Sequence, residues 1–243
     1  MVSKSQLKYI QSLGQKKYRD DAGVFVAEGP KLVKELIQSK NVELTEIFAL
    51  NEWVGDNKDL LKSVNVTPID EKELERISQL KTPNKVLAIV KKFEANEPAI
   101  KEKISLVLDT IQDPGNLGTI IRIADWFGIS NIICSNDSAD MYNSKVVQAT
   151  MGSIARVNVF YTDPAVWLEQ QPAVRIYAAT MEGKDVTKMS AIKEGLIIIG
   201  NESTGIDKEL LQLANEKISI PRKGGAESLN AAVAAGIILS HLV

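Results

Sequence analysis

The sequence is poor in the side chains that most hydrolytic and metal-dependent enzymes use. Its 243 residues include one cysteine, Cys134, and one histidine, His241. A single cysteine excludes an internal disulfide and a cysteine-based zinc site. A single histidine leaves almost no material for Ser-His-Asp, Cys-His or two-histidine metal chemistry. Any catalysis must therefore use other polar groups, and we expect no bound metal.

Export and membrane signals are also missing from the sequence. The first 30 residues are polar and charged, without the apolar core of a signal peptide. The longest apolar stretch, residues 231–243, is too short to cross a bilayer and contains Ser240 and His241. Together with the unpaired cysteine, these absences predict a cytoplasmic protein without membrane association.

The charge is balanced overall but not along the chain. The 29 Lys and Arg and 31 Asp and Glu residues give a net charge of −2. Residues 1–95 hold 16 basic and 14 acidic side chains, a balance of +2, and residues 96–243 hold 13 and 17, a balance of −4. Basic residues cluster in 4–19 and 81–92, where they either meet phosphate or form a solvated surface.

A polar run at residues 94–98, EANEP, has no apolar periodicity and contains a proline, which indicates a linker. We therefore predict a small α/β domain over 1–95, a linker over 96–103 and a second domain over 104–243. In the second domain, buried strand-like runs alternate with helices, which predicts a parallel sheet covered on both faces. Its predicted strands are 104–108, 131–134, 156–160, 175–179, 196–200 and 217–220, and its predicted helices are 117–127, 144–151, 164–171, 208–214 and 228–242.

Three polar loops follow predicted strands, and ligands of open parallel sheets bind beyond the carboxyl ends of the strands. The first loop turns at Pro-Gly and enters a helix for which Asn116 is the predicted N-cap. Arg122 follows within an apolar stretch, where it needs a partner. A structural salt bridge and a functional role are the two alternatives for it.

The second loop, residues 200–205 (GNESTG), either presents backbone groups to a ligand or starts a helix capped by Ser203 or Thr204. The third loop exposes Arg222 and Lys223 and then enters an apolar helix that begins at Ser228. Such a helix is buried all round or packs against a second chain. Neither G-x-G-x-x-G nor a P-loop is present, which argues against an ordinary dinucleotide or nucleotide site.

Together, the three loops resemble the motifs of the SpoU/TrmH family of RNA ribose 2′-O-methyltransferases, within the SPOUT superfamily. The matching segments are 113–122 (DPGNLGTIIR), 199–205 (IGNESTG), and 220–221 (IP) followed by 227–230 (ESLN). The resemblance covers about residues 104–243. The segment 25–29 (FVAEG) resembles the substrate-binding domain often fused to this family, whose fold is similar to that of an RNA-binding ribosomal protein.

The resemblance implies an α/β fold in which a parallel-sheet SPOUT methyltransferase domain with a C-terminal trefoil knot follows a small α/β RNA-binding domain. It implies a homodimer that transfers a methyl group from S-adenosyl-L-methionine to a ribose 2′-hydroxyl of structured RNA, with ribosomal preferred to transfer RNA. The implied catalytic residues are Arg122, Asn116, Glu202, Ser228 and Asn230. The implied cofactor-binding positions, which act through the backbone, are Thr180, Gly200, Ile220, Ser228 and Leu229.

Some features of the resemblance leave alternatives open. An arginine side chain, with a pKa above about 12, is a demanding choice of base. Arg122 therefore either loses its proton transiently in a special environment or holds an RNA phosphate and orients the hydroxyl. The family commonly has Met after Ile-Pro, where this chain has Arg222 and Lys223, and RNA contact is slightly favoured over loop surface for this pair.

Two functions are alternatives to methyl transfer. The first is an RNA-binding or assembly factor that keeps the fold without the activity, and the second is an unrelated α/β nucleotide-binding enzyme. The presence of all five catalytic positions argues against the first, and the missing glycine-rich fingerprints argue against the second.

Overall fold

The computed structural model of the protein describes residues 2–94 and 96–243. Met1, at the start of the predicted first domain, and Ala95, in the predicted linker run, lie outside the described residues. The chain forms two compact units. The first comprises the described residues through Glu94 together with Tyr142–Ala155, and the second comprises the described residues from Asn96 to Met141 together with Arg156–Val243.

The first unit is built on a four-stranded mixed sheet in the order β1-β4-β2-β3. Strand β4 is antiparallel to β1 and β2, and β3 runs parallel to β2. Its elements up to residue 94 are α1 (Lys4–Ser12), α2 (Lys16–Ala22), β1 (Val24–Glu28), α3 (Pro30–Gln38), β2 (Leu44–Leu50), α4 (Asn51–Asp56), β3 (Val66–Ile69), α5 (Glu71–Ile77) and β4 (Val86–Lys91). The predicted α/β character of this region is confirmed.

Two short helices of this unit, α2 and α4, were not predicted from the sequence. Helix α2 has no apolar stripe, because its one buried side chain is that of Arg19. The Arg19 guanidinium donates from Nη1 to the carbonyl oxygens of Leu13 and Gly14, each at 2.9 Å, just beyond the end of α1. The buried Arg19 on α2 therefore satisfies carbonyl oxygens at the end of α1. Helix α2 is held by this contact and not by an apolar face, so hydrophobic periodicity does not indicate it.

The second unit contains a six-stranded sheet in the order β10-β8-β9-β5-β6-β7, and every pair in it is parallel. This confirms the predicted parallel sheet. Helices α6 and α10 pack on each other, and α8 packs on α9. The helices and strands of this unit are β5 (Ile104–Leu108), α6 (Pro114–Trp126), β6 (Asn131–Ser135), β7 (Asn158–Thr162), α8 (Pro164–Glu169), β8 (Ile176–Asp185), β9 (Gly195–Ile199), α9 (Lys208–Leu213), β10 (Glu216–Ser219) and α10 (Ala231–Leu242). Helix α7 (Ser144–Thr150), between β6 and β7 in the chain, belongs to the first unit.

Two predicted helix starts in the second unit, those of α6 and α10, are wrong because another side chain provides the cap, whereas the predicted start of α9 at Lys208 is confirmed. Helix α6 is capped by Asp113, not Asn116: the Asp113 carboxylate accepts the Asn116 N–H at 2.8 Å, and Pro114 occupies the first helical turn. Helix α9 is capped by Asp207 and not by Ser203 or Thr204. Helix α10 begins at Ala231, so Ser228 lies in the preceding loop.

Strand β8 is longer than predicted and continues to Asp185. Its pairing with β10 shifts register, from Lys217 opposite Ala178 to Ile218 opposite Lys184. The chain passes very close to itself here, since a Cβ at Gly183 would lie 2.6 Å from the Lys217 carbonyl oxygen. The C-terminal trefoil knot stays a prediction.

Helix α7 completes the first unit by packing on β1. Gln148, on α7, donates from Nε2 to the backbone oxygen of Glu28 at 2.7 Å. At the start of the same segment, the Tyr142 ring lies 4.9 Å from Phe25 and 6.2 Å from Phe93, centroid to centroid. The segment 142–155 therefore contributes both a polar and an aromatic contact to the core of a unit from which it is distant in sequence.

The last residue of β1, Glu28, is a buried carboxylic acid with only 2% of its surface exposed. Its carboxylate accepts hydrogen bonds from the Ser78 hydroxyl and, at 2.8 Å, from the Gln79 N–H. Burial raises the pKa of Glu28 above its ordinary value, and these two hydrogen bonds only partly offset the effect.

Replacing Glu28 with glutamine is expected to change how stability depends on pH. Since the folded state holds the Glu28 proton more tightly than the unfolded chain, its stabilising contribution is fully present below the ordinary pKa of 4.5 and is lost as the pH rises through the raised pKa. The free energy of unfolding of the wild type should therefore fall relative to that of Glu28→Gln as the pH rises from 4.5.

Urea unfolding of both proteins at several pH values measures this difference. Glu75→Gln, at an exposed position on α5, is the matched control for loss of one carboxylate. A difference between wild type and Glu28→Gln that stays constant, or that grows in favour of the wild type at higher pH, would contradict the assignment.

Candidate functional site

The three predicted loops leave β5, β9 and β10 at the same edge of the sheet, and they meet at Asn116. The Asn116 amide donates from Nδ2 to the Glu202 carboxylate, and its Oδ1 accepts a hydrogen bond from Asn230 Nδ2 at 2.8 Å. Three of the five predicted catalytic residues, separated by as many as 114 positions, are therefore joined in one network.

This network fixes the direction of each amide. Asn230 also caps α10, since its Oδ1 accepts the N–H groups of Ala232 and Val233 at 3.0 and 3.2 Å. Its Nδ2 must therefore face Asn116, whose own Nδ2 must face Glu202. Over residues 2–94 and 96–243, the other carboxylate oxygen of Glu202 accepts no hydrogen bond, so it is available to a donor on a ligand.

A cleft of about 1040 Å³ opens beside this network, and Glu202 is part of its wall. All five predicted cofactor-binding positions line it. Apolar walls and a few convergent polar groups are typical of small-molecule sites. The predicted positions in the wall are Thr180, Gly200, Ile220, Ser228 and Leu229, and the apolar side chains include Ile199, Leu211, Ile218 and Ile238.

The loop that carries Glu202 is folded tightly on itself. Asn201 and Gly205 exchange two backbone hydrogen bonds, at 3.1 and 2.9 Å. A Cβ at Gly200 would lie 2.5 Å from the Gly205 backbone, and Gly205 has a φ of +72°. Both glycines are therefore required by the backbone, which leaves Glu202 at the tip of a narrow turn.

Two residues that support the site, Asp109 and Asn201, were given no role by the sequence reasoning. The Asp109 carboxylate accepts the backbone N–H of Asp207 at 2.7 Å and the Thr110 hydroxyl at 2.9 Å. Asn201 donates from Nδ2 to the Thr110 carbonyl oxygen at 2.9 Å. The two side chains tie the first loop to the second. The sequence signal that could have identified Asp109 is its position directly after the buried strand β5.

Arg122 is not part of the network. It is exposed on α6, and across the described residues it forms no hydrogen bond or ion pair, so the salt-bridge alternative finds no partner there. Arg122 lies six residues beyond Asn116, a rise of about 9 Å and a rotation of roughly −120° along an α-helix. It therefore lies on a different side of α6 from Asn116, on an exposed face that it shares with Thr119 and Trp126.

The site combines a carboxylate, two amides and a separate exposed guanidinium. Among the described residues, no group of His, Cys, Asp or Glu side chains is arranged to hold a metal ion. Cys134 is fully buried, and burial raises the pKa of its thiol, so it is unsuited to act as a nucleophile. No helix in the described parts of the chain has the length and apolar character needed to cross a membrane.

Comparison with known proteins gives matches over nearly the whole chain. Residues 103–240 match the SpoU rRNA Methylase family, and residues 4–88 match the MRM3-like substrate binding domain. The chain is 30% identical to the 23S rRNA (guanosine(2553)-2′-O)-methyltransferase RlmP of Bacillus subtilis, over 98% of this chain and 95% of that protein. It is 26% identical to a 23S rRNA (uridine(2479)-2′-O)-methyltransferase of Streptomyces viridochromogenes, over 95% and 86%.

Solved structures agree with the sequence matches. An AdoMet-bound rRNA methyltransferase from Sinorhizobium meliloti superposes with a TM-score of 0.84 at 30% identity, covering 99% of this chain and 95% of that one. Both units of the present chain therefore have a structural counterpart within a single solved protein.

Proposed function

The chain belongs to the SpoU rRNA methylase family, and on that premise we propose that it transfers the methyl group of S-adenosyl-L-methionine to a ribose 2′-hydroxyl of ribosomal RNA. The observation that carries this proposal is the network of Asn116, Glu202 and Asn230, which forms at the rim of the cleft from three separate loops.

The cleft fits the chemistry of S-adenosylmethionine. Ile199, Ile218 and Ile238 supply apolar walls for a purine ring, and the backbone around Gly200 and Ile220, which also line the cleft, supplies donors and acceptors for its edge. Gly200, Ile220 and Leu229 have no polar side chain, so at these predicted cofactor-binding positions only the backbone can form hydrogen bonds with the cofactor. When bound, the cofactor supplies an electrophilic methyl group on a positively charged sulfur.

The residues at the rim orient the RNA ribose. The free oxygen of Glu202 accepts a hydrogen bond from a ligand hydroxyl, while Asn116 and Asn230 hold the carboxylate in one position. Ser228, exposed in the loop before α10 and part of the cleft wall, offers a second hydroxyl contact. Fixing the hydroxyl oxygen in line with the methyl group removes much of the entropic barrier to the reaction.

Arg122 acts on the RNA, and we assign it to the phosphate next to the target ribose. Its guanidinium is exposed and unpaired within the described chain, and a guanidinium matches phosphate with two parallel hydrogen bonds. In this arrangement, Arg122 orients the hydroxyl, and the phosphate or a water molecule accepts the proton.

The active form is a homodimer in which a second copy completes the site. Arg122 and Asn116 of one α6 face different directions, so an Arg122 from a second copy is needed beside the network. The face that carries Arg122 also exposes Trp126 (84%), and Val233 of the neighbouring α10 is 51% exposed. Exposed apolar side chains on two helices that pack together are typical of an interface.

Replacing Trp126 with alanine is expected to weaken this dimer. Buried interface tryptophans commonly contribute about 2 kcal/mol or more, which corresponds to at least a roughly thirtyfold increase in the dimer dissociation constant. Sedimentation velocity over a concentration series measures the constant. Val166→Ala, at a 54% exposed position on α8, is the matched control and should leave it unchanged. A wild type that is monomeric throughout, or equal effects of both variants, would refute the interface.

The first unit binds the RNA in this proposal. The match to a substrate binding domain over residues 4–88 and the net charge of +2 over residues 1–95 support this role. We propose a substrate domain over 1–95, which the segment 142–155 completes, a linker over 96–103 and a methyltransferase domain over the rest of 104–243. With ribosomal RNA as substrate, we propose the cytoplasm as the location.

The function is tested by incubating the protein with tritiated S-adenosylmethionine and RNA from a strain that lacks its gene. Transfer of label to ribosomal RNA, at a position then mapped as a 2′-O-methyl group, is the expected result. Absence of transfer to any RNA by protein that binds the cofactor would refute the activity and favour an assembly factor with the same fold.

A further inference from the structure

We infer that Arg222 and Lys223 form a subsite for backbone phosphates of the RNA at the rim of the cleft, an inference that rests on the proposed function. The two residues follow β10, at the same edge of the sheet as Glu202. Both are exposed, and both line the cleft together with Glu202 and Ser228. An RNA strand whose ribose reaches the network must therefore pass beside them.

The charges of this pair are uncompensated. Over residues 2–94 and 96–243, neither side chain forms an ion pair, and the only hydrogen bond of Arg222 runs from Nη1 to the Ala226 carbonyl oxygen at 3.3 Å. A guanidinium has five N–H donors and an ammonium has three. Most donors of the pair are therefore available to a ligand.

Other cations of the second unit are used differently. Arg175 and Lys184 both pair with Glu216, and Arg156 pairs with Asp125. These pairs hold elements of the fold together, whereas Arg222 and Lys223 hold nothing but their own loop. The pair thus carries two uncompensated positive charges in a part of the chain, residues 96–243, whose net charge is −4.

The exposure of the loop favours a polyanion over the cofactor carboxylate as the ligand. Every residue from 221 to 230 is exposed, so the pair faces solvent at the mouth of the cleft and not its depth. A Cβ at Gly224 or Gly225 would meet nothing within 4 Å, so packing does not restrict the loop there. Long basic side chains on such a loop suit the phosphates on either side of a target nucleotide.

The test is the salt dependence of RNA binding by Arg222→Gln/Lys223→Gln. The probe is an unmodified transcript of large-subunit ribosomal RNA, and binding is measured from roughly 50 to 200 mM salt. The matched control is Lys101→Gln/Lys103→Gln, which removes two exposed charges just before β5, at the opposite edge of the sheet. Affinity for S-adenosylmethionine is measured by calorimetry on all three proteins.

We expect the slope of log affinity against log salt concentration to fall by about 1.5 in the cleft variant, since each phosphate contact contributes 0.7 to 0.9. Between 50 and 200 mM salt, the RNA affinity of the variant should therefore fall by a factor about eight times smaller than that of the wild type. The KM for RNA should rise at low salt with kcat unchanged. The control should keep the wild-type slope, and cofactor affinity should be the same in all three proteins.

Two results would overturn the inference: an unchanged slope with weakened S-adenosylmethionine binding, which would assign the pair to the cofactor, or an equal change of slope in the control. Because the slope is measured by binding, it reports on the pair even if the wild type transfers no methyl group, a result that would refute the proposed function alone. Absence of RNA binding by the wild type would refute both.

Discussion

Replacing Arg122 with alanine is expected to lower kcat for methylation of ribosomal RNA by about 10²- to 10³-fold, the loss typical when one group that positions or stabilises the reacting atoms is removed. The side chain is exposed and unpaired among the described residues, so its removal should leave stability and cofactor affinity unchanged. Arg122→Lys keeps the charge but not the two-point contact with phosphate, and it should recover only part of the activity.

A mixture of two inactive chains tests whether Arg122 acts across the dimer. Asn116→Ala breaks the network in its own chain, whereas Arg122→Ala removes the guanidinium that we assign to the opposite site. In a mixed dimer, one site combines an intact network with an intact Arg122. Random pairing places half of the chains in mixed dimers, each with one complete site, so co-expression should restore about a quarter of wild-type activity.

The measurement is steady-state methyl transfer by co-purified chains with different affinity tags. Each variant alone should remain inactive, which controls for contamination. If mixed dimers stay inactive while the homodimer forms normally, Arg122 acts within its own chain. If Arg122→Ala keeps full activity, the assignment of a catalytic role fails altogether.

Cutting the chain at the predicted linker is expected to give a first domain, residues 1–95, that does not fold cooperatively. The fragment lacks α7, which packs on the fully buried strand β1. It also loses the Tyr142 ring, which forms two of the three ring pairs in the cluster, worth roughly 0.5–1.5 kcal/mol each beyond burial. Since domains are stable by only about 5–15 kcal/mol, exposing one face of β1 removes much of that margin.

Urea unfolding and dye binding measure this directly. The control is the same fragment joined through a Gly-Ser linker to residues 142–155, which should regain a sigmoidal transition and lose the exposed apolar surface that binds the dye. Equal stability of the two fragments would show that α7 is dispensable to the first unit.

The sequence was sufficient to predict the parallel sheet and the position of the three loops after its strands, because both follow from local patterns. Buried apolar runs indicate parallel strands, and the carboxyl ends of such strands share one edge. The resemblance named Asn116, Glu202 and Asn230, and the structure brings these three together. Their order in space depends on strand order, which no single segment of the sequence encodes.

The errors come from competition between side chains for the same backbone groups. Asn116 is a good N-cap residue, but Asp113 stands three positions earlier beside Pro114 and takes that role, which frees the Asn116 amide for Glu202. The supporting contact of Asp109 with Asp207 spans 98 residues, so no pattern of neighbouring residues indicates it. Nor does the composition indicate that residues 142–155 belong to the first unit, because their contacts are with residues distant in sequence.

The separation of 114 residues between Asn116 and Asn230 has a consequence during synthesis of the protein. At about 5–20 residues per second, a ribosome needs roughly 6 to 23 s to pass from the first to the second. During that interval, a growing chain already carries Asn116 but lacks both its hydrogen-bond donor and helix α10. The ribosome that makes the chain contains its proposed substrate, ribosomal RNA, yet during this interval the chain has no complete site with which to modify it.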